Sequence, residues 1–209
     1  MDEIFISYRR EDTRDLSGRV YDRLSGRYGK QKVFMDTDMA PGVEFPNRFL
    51  HALNRCRAQL VMIGPQWLDA ADAQHHRRLD DPQDWVRVEV KTALERAVYS
   101  KSTRRRRNRV LLLPILVKDT SMPSADHLPD DMKPLRMRLA IRLDDDERFA
   151  DGMTRLYREL ESEIRSLWFE VFLRFKVQIM ALYIFGFLAL ILGLLVFFYF
   201  AHRIAFTIT

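Results

Sequence analysis

Apolar and polar positions alternate along this chain in a way that separates strands from helices. Ile4-Phe5-Ile6-Ser7-Tyr8 is a short β-type run that breaks at Arg9-Arg10-Glu11-Asp12, where polarity rises abruptly. From Asp15 to Tyr28, the residues Leu16, Val20, Leu24 and Tyr28 recur every fourth position, which predicts an amphipathic helix stopped by Gly29. Lys32 to Asp36 reads as a second strand ending in a carboxylate, and Thr37 to Glu44 as a loop with Pro41-Gly42 as its turn signal. Phe45, Phe49, Leu53 and Cys56 mark the next helix. Ala58 to Ile63 is almost continuously apolar, as a strand covered on both faces must be. After Gly64-Pro65 comes a polar stretch, Asp69 to Gln83. Helical spacing resumes from Trp85 to Tyr99 through Val86, Val90, Ala93, Leu94, Ala97 and Val98. Val110 to Val117 predicts a central strand and Leu139 to Leu143 a fifth. Phe149, Met153, Leu156, Leu160, Ile164 and Leu167 carry the last amphipathic helix.

Five short strands alternating with helices predict an α/β fold, a doubly wound five-stranded parallel sheet with helices on both faces. A ligand of such a sheet sits beyond the carboxyl ends of the strands. That rule gathers Ser7 to Arg10, Asp36 to Phe45 and Gly64 to Trp67 around one crevice.

The C-terminal pattern differs. Residues 177–200 carry no charge, and Gln178, Tyr183 and Tyr199 are their most polar side chains. As a helix at ~1.5 Å per residue this segment covers about 36 Å, enough for a hydrocarbon core of roughly 30 Å with some tilt. It is expected to span a membrane once. Arg174 and Lys176 precede it, and Trp168, Phe169, Phe172 and Phe175 suit the lipid interface. The expected organisation is a globular domain over 1–147, a last helix and juxtamembrane connector over 148–176, the span over 177–200, and a short tail over 201–209. The acidic N-terminus does not read as a signal peptide. Arg165, Arg174 and Lys176 before the span, against His202 and Arg203 after it, and the lack of disulfide cysteines favour the domain in the cytoplasm at the cell membrane.

With 47% apolar and 30% charged residues, the composition is that of a globular protein. The formal net charge of +5 suits an anionic partner without choosing one. Cys56 stands alone, which excludes an intrachain disulfide, and it reads as helix-end packing. The run Arg104 to Arg107 with Arg109 lacks interleaved aromatic residues and any groove-reading motif. It reads as a solvated loop, to which anionic lipid is better suited than nucleic acid, and no nucleic-acid partner is expected. His75-His76 is an adjacent pair without further ligands, so no metal site is expected. Gly186, Ala189 and Gly193 form a small-residue stripe that would let spans pack together. A pore is not indicated, because one span without a polar face gives no reason for a water-filled channel.

Trp85 and Glu89 are four apart and share one helix face. Periodicity alone favours a core-anchoring tryptophan and a surface acid paired with Arg87 or Lys91. Arg9-Arg10-Glu11-Asp12 alone reads as a solvated turn.

Several of these segments resemble, in order, the motifs of Toll/interleukin receptor (TIR) domains. Phe5-Ile6-Ser7-Tyr8-Arg9-Arg10 resembles the family's opening motif, and Val33-Phe34-Met35-Asp36 its second strand. Asp38 to Phe45 resembles the so-called BB loop, Leu60 to Pro65 the third strand and its turn, and Asp84-Trp85-Val86-Arg87-Val88-Glu89 the tryptophan-to-glutamate segment of the third helix. Together they cover most of residues 3–145, and Ala70 to Gln83 is an insert that departs from the pattern. The combination of Ser-Tyr-Arg-Arg with Trp-x-x-x-Glu is similar to prokaryotic TIR domains and the animal axon-degeneration TIR enzyme, which cleave NAD.

The resemblance implies a flavodoxin-like fold and an NAD+ glycohydrolase with NAD+ as substrate and no separate cofactor. It makes Glu89 the catalytic carboxylate, and it implies a nucleotide pocket lined by Tyr8, Arg9, Asp36, Phe45 and Trp85, with Arg10 and Gly64 as neighbours. It further implies self-association, with the BB loop of one subunit completing the pocket of the next, in a defence or cell-death role. The competing expectation is a non-enzymatic TIR–TIR interaction module at the membrane.

Overall fold

The computed structural model describes residues 4–35, 45–98, 110–143 and 148–162. The chain divides into two compact units, Met1–Leu160 and Glu161–Thr209; the sheet, the site and the helices as far as Leu160 belong to the first. Strands β1 (Ile4–Ser7), β2 (Val33–Met35), β3 (Ala58–Ile63), β4 (Leu111–Val117) and β5 (Ile141–Leu143) form one sheet in the order β2-β1-β3-β4-β5. Every neighbouring pair is parallel. The helices are α1 (Arg10–Tyr28), α2 (Phe45–Arg55), α3 (Trp85–Val98) and α4, residues 149–162. The expected five-stranded parallel α/β architecture is therefore present. Among the described residues no helix is long and apolar enough to cross a membrane. The expected span at 177–200 and the basic run at 104–109 lie outside the described residues.

Side-chain alternation along each strand divides the core into two layers. Ile4, Ile6, Leu60, Met62, Leu113 and Ile115 meet α1 and α4 through Leu16, Val20, Leu24, Met153 and Leu156. Phe5, Val61, Ile63, Leu112 and Leu116 face α2 and α3 through Phe49, Leu53, Val86, Val90 and Leu94. Each fully buried aliphatic or aromatic side chain contributes roughly 1.5–3 kcal/mol relative to exposure. Cys56 lies buried in the second layer, as packing required. Pro114, inside β4, pairs with β3 one residue before the β5 pairing begins at Ile115, where β4 has a neighbour on one side only.

Two boundaries differ from the sequence reading by more than one residue. Helix α1 starts at Arg10 rather than near Asp15, with a kink at Thr13. Its first turn lacks an apolar stripe because the side chains that turn inward there are Asp12 and Thr13, both buried. The fifth strand is shorter than expected, since Leu139 is 90% exposed.

Gly64, at the end of β3, is what lets that turn approach. A Cβ built there would lie 2.5 Å from both carboxylate oxygens of Asp12 and from the Thr13 methyl. Asp12 Oδ1 accepts the Gln66 backbone N–H at 3.2 Å. Burial pushes its carboxyl above its ordinary value, against the Gln66 hydrogen bond and the nearby Lys118. A raised carboxyl pKa favours the folded state below the unfolded value, and that contribution is lost as pH rises through the folded pKa. Asp12→Asn should therefore raise the urea midpoint at pH 7, and the gain should shrink towards pH 4. Denaturation at the two pH values checks both the sign and the trend.

Candidate active site

The chain leaves β1 for β2 on one side and returns to β3 on the other, so the topological switch point lies between β1 and β3. Alternation turns Ser7 to the same face as Phe5, towards α3. Glu89 comes from the buried side of α3, next to Val86 and Val90, and is itself only 6% exposed. Ser7 Oγ donates a hydrogen bond to Glu89 Oε2. The surface-acid reading of Glu89 therefore fails, since Arg87 and Lys91 reach Asp131 at 3.2 and 3.9 Å.

Helix α3 is placed by the residue just before it. Asp84 is its N-cap: Oδ1 accepts the Arg87 backbone N–H at 3.2 Å. The same carboxylate takes a two-pronged contact from Arg9, with Nη2 on Oδ1 at 3.1 Å and Nη1 on Oδ2 at 3.2 Å. Arg9 Nε donates to the carbonyl of Trp67 at 3.0 Å. Arg9 and Asp84 are both buried, and Trp67 is fully so. Arg9 thus joins the end of β1 to the start of α3 and fixes where Trp85 and Glu89 stand.

A cleft of about 310 Å³ opens in front of Glu89. Its lining combines the aromatic side chains of Tyr8, Phe49 and Trp85 with the charged Arg9, Arg10, Glu11 and Arg78. Trp85 is 38% exposed, so it is not a core anchor; it meets Phe49 edge-to-face with centroids 4.9 Å apart. Arg78 comes from the polar insert. Its Nη1 lies 3.2 Å from Glu11 Oε1 and its Nε 3.2 Å from Asp84 Oδ2.

Of the residues singled out from sequence, Tyr8, Arg9, Arg10, Trp85 and Glu89 come together in this cleft. Gly64 lies against Asp12 and Thr13 and does not line it. Asp36 and the side chain of Phe45 lie outside the described residues. Sequence reasoning missed the parts played by Ser7, Asp84 and Arg78. An aspartate directly before an apolar helical run is a start signal that would have found Asp84. Nothing in the local pattern marks Arg78.

Comparison with known proteins agrees with this architecture. The family model described as "TIR domain" matches residues 4–166. Among solved structures, the TIR domains of the activated Roq1 resistosome, which directly recognises the pathogen effector XopQ, give a TM-score of 0.54 at 12% identity, covering 77% of this chain and 99% of that one. The TIR domain of the Toll-related receptor TRR-2 from Hydra magnipapillata gives 0.47 at 16% identity, again over 77% and 99%. A metazoan TIR-STING receptor from C. gigas, in complex with 2′,3′-cGAMP, gives 0.47 at 20% identity over 72% of this chain, which spans 38% of that receptor chain. At 12% identity the likeness to the Roq1 domains is one of fold. No curated protein gives a significant match. With five parallel strands in this order and a family match over most of its length, the chain belongs to the TIR-domain family.

Proposed function

We propose that this chain, which resembles NAD-cleaving prokaryotic TIR domains, is an NAD+ glycohydrolase tethered to the cell membrane by residues 177–200 and active when its TIR domains assemble. Depletion of NAD+ would make it a defence effector. The observation that carries the reading is a buried carboxylate at the switch point: Glu89 is held by Ser7 and opens into a cleft that also presents Trp85.

The chemistry needs little more. In NAD+ the nicotinamide is already a cation. When its bond to ribose C1′ breaks, the bonding pair moves to the ring nitrogen and neutralises it, so no acid need protonate the leaving group. Positive charge passes to the ribose, where Glu89 stabilises it at short range in surroundings poorer in water than the bulk. Water then adds to C1′ and releases its proton, leaving ADP-ribose. Ordinary glycoside hydrolysis uses a second carboxylate as acid, and here the substrate makes one unnecessary. Trp85, braced by Phe49, offers an indole against which a flat base stacks. The family resemblance adds Asp36 and Phe45 to the pocket, and a neighbour's 38–45 loop to close it. Tethering raises effective concentration without new contacts, which lowers the threshold for that assembly.

The test is NAD+ consumption by the full-length chain in liposomes at graded surface density. The proposal expects NAD+ loss with matching nicotinamide release, rising more steeply than linearly with density. Stable NAD+ at every density would make the protein an interaction module instead.

A further inference from the structure

The 310 Å³ cleft lies at the lower end of the roughly 300–1,000 Å³ usual for ligand sites. It suits a nicotinamide riboside better than a whole dinucleotide. Beside it lies a second concavity of about 860 Å³, walled by residues between Asp72 and Trp85. The two share Arg78 and Trp85, which therefore form the ridge between them.

The wall of the second concavity is built rather than loose. Asp72 Oδ1 accepts the backbone N–H groups of Gln74 and His76, both at 2.9 Å, and Ala71 pairs with Arg77 in an antiparallel bridge. Arg77 Nη1 donates to the His127 carbonyl at 2.9 Å. Leu79 is completely buried and ties the segment to the core.

Charge on the ridge is arranged unevenly. Arg9 is buried, with its Nε, Nη1 and Nη2 all donating inside the protein. Arg78 keeps a side chain 32% exposed: its Nε lies on Asp84, its Nη1 on Glu11, which is 62% exposed, and among the described residues its Nη2 donates to none. An exposed ion pair of this kind contributes little to stability and is readily exchanged for a better anion.

We infer that residues 70–83 form the adenosine side of the dinucleotide site, with Arg78 exchanging Glu11 for the pyrophosphate on the ridge between the two concavities. This rests on the Glu89 reading for where the nicotinamide end lies. A guanidinium suits the role because its planar fork matches two phosphate oxygens at once.

The experiment uses the full-length chain in liposomes, as wild type, Arg78→Ala, Arg78→Lys and Glu11→Gln. It follows equilibrium binding of ADP-ribose and cleavage of NAD+ against nicotinamide riboside, which lacks phosphate. Arg78→Ala should weaken ADP-ribose binding and raise KM for NAD+ roughly tenfold, with Arg78→Lys between, and leave nicotinamide riboside within about twofold. Glu11→Gln should move both NAD+ KM and ADP-ribose Kd the other way, because it removes the competing carboxylate. A merely structural ion pair would give Arg78→Ala and Glu11→Gln effects of the same sign. That result, or equal effects on both substrates, overturns the inference. A wild type that cleaves neither substrate but binds ADP-ribose through Arg78 would sink the catalytic reading and leave this one standing.

Discussion

Glu89→Gln lowers the rate of NAD+ cleavage by roughly 10³-fold while leaving the thermal midpoint near that of wild type. The amide has the shape of the carboxylate, and its oxygen can still accept the Ser7 hydroxyl, so packing on α3 is kept. What disappears is one negative charge. In bulk water a charge that close to a ribosyl cation is worth about 1 kcal/mol, whereas in a partly water-excluded cleft it is worth several. Glu89→Asp keeps the charge but withdraws it by one methylene from Ser7 and from the cleft. It should retain a fraction of the activity, between wild type and Glu89→Gln. Nicotinamide release by the full-length chain at matched liposome density, with a melting curve for each variant, separates the two causes. Full activity in Glu89→Gln would mean that the carboxylate has no chemical part.

The second large effect is on stability. Asp84→Ala should destabilise the domain by about 3–5 kcal/mol, because it strands a buried guanidinium that cannot shed its proton. Arg9 is 2% exposed, and among the described residues the Trp67 carbonyl would be its one remaining hydrogen-bond acceptor. The same substitution removes the α3 N-cap, typically worth ~1 kcal/mol. The reverse truncation, Arg9→Met, should cost less, since Arg78 Nε already lies 3.2 Å from Asp84 Oδ2 and keeps that carboxylate paired. At ~2–4 °C per kcal/mol for a domain of this size, Asp84→Ala should melt roughly 10 °C below wild type. Thermal unfolding of the two variants side by side reads the asymmetry. Equal, small losses would show that the pair contributes little and that α3 is positioned by packing alone.

Much of this was written in local pattern. Short apolar runs such as Ile4 to Ile6 and the doubly buried Ala58 to Ile63 announce parallel strands, and Trp85 with Glu89 announces a shared helix face. These signals are readable because they depend on neighbours in sequence. What could not be read depends on neighbours in space. Arg9 reads from sequence as part of a solvated turn, and the fold draws it inside because Asp84 and the Trp67 carbonyl meet it there, 75 and 58 residues away. Gly64 looked like a pocket residue, and it is small because Asp12 of α1 needs the room. Arg78 sat unremarked in a polar insert, since only the folded chain carries that insert to the rim of the cleft.

The most direct measurement separates binding from bond breaking in a single sample. NAD+ is titrated calorimetrically into the full-length Glu89→Gln chain in liposomes while nicotinamide is followed in the same cell. The account predicts saturable binding close to that of ADP-ribose on wild type, with nicotinamide release near background. Nicotinamide appearing at the wild-type rate would contradict it, as would a site that holds no NAD+ once the charge is gone.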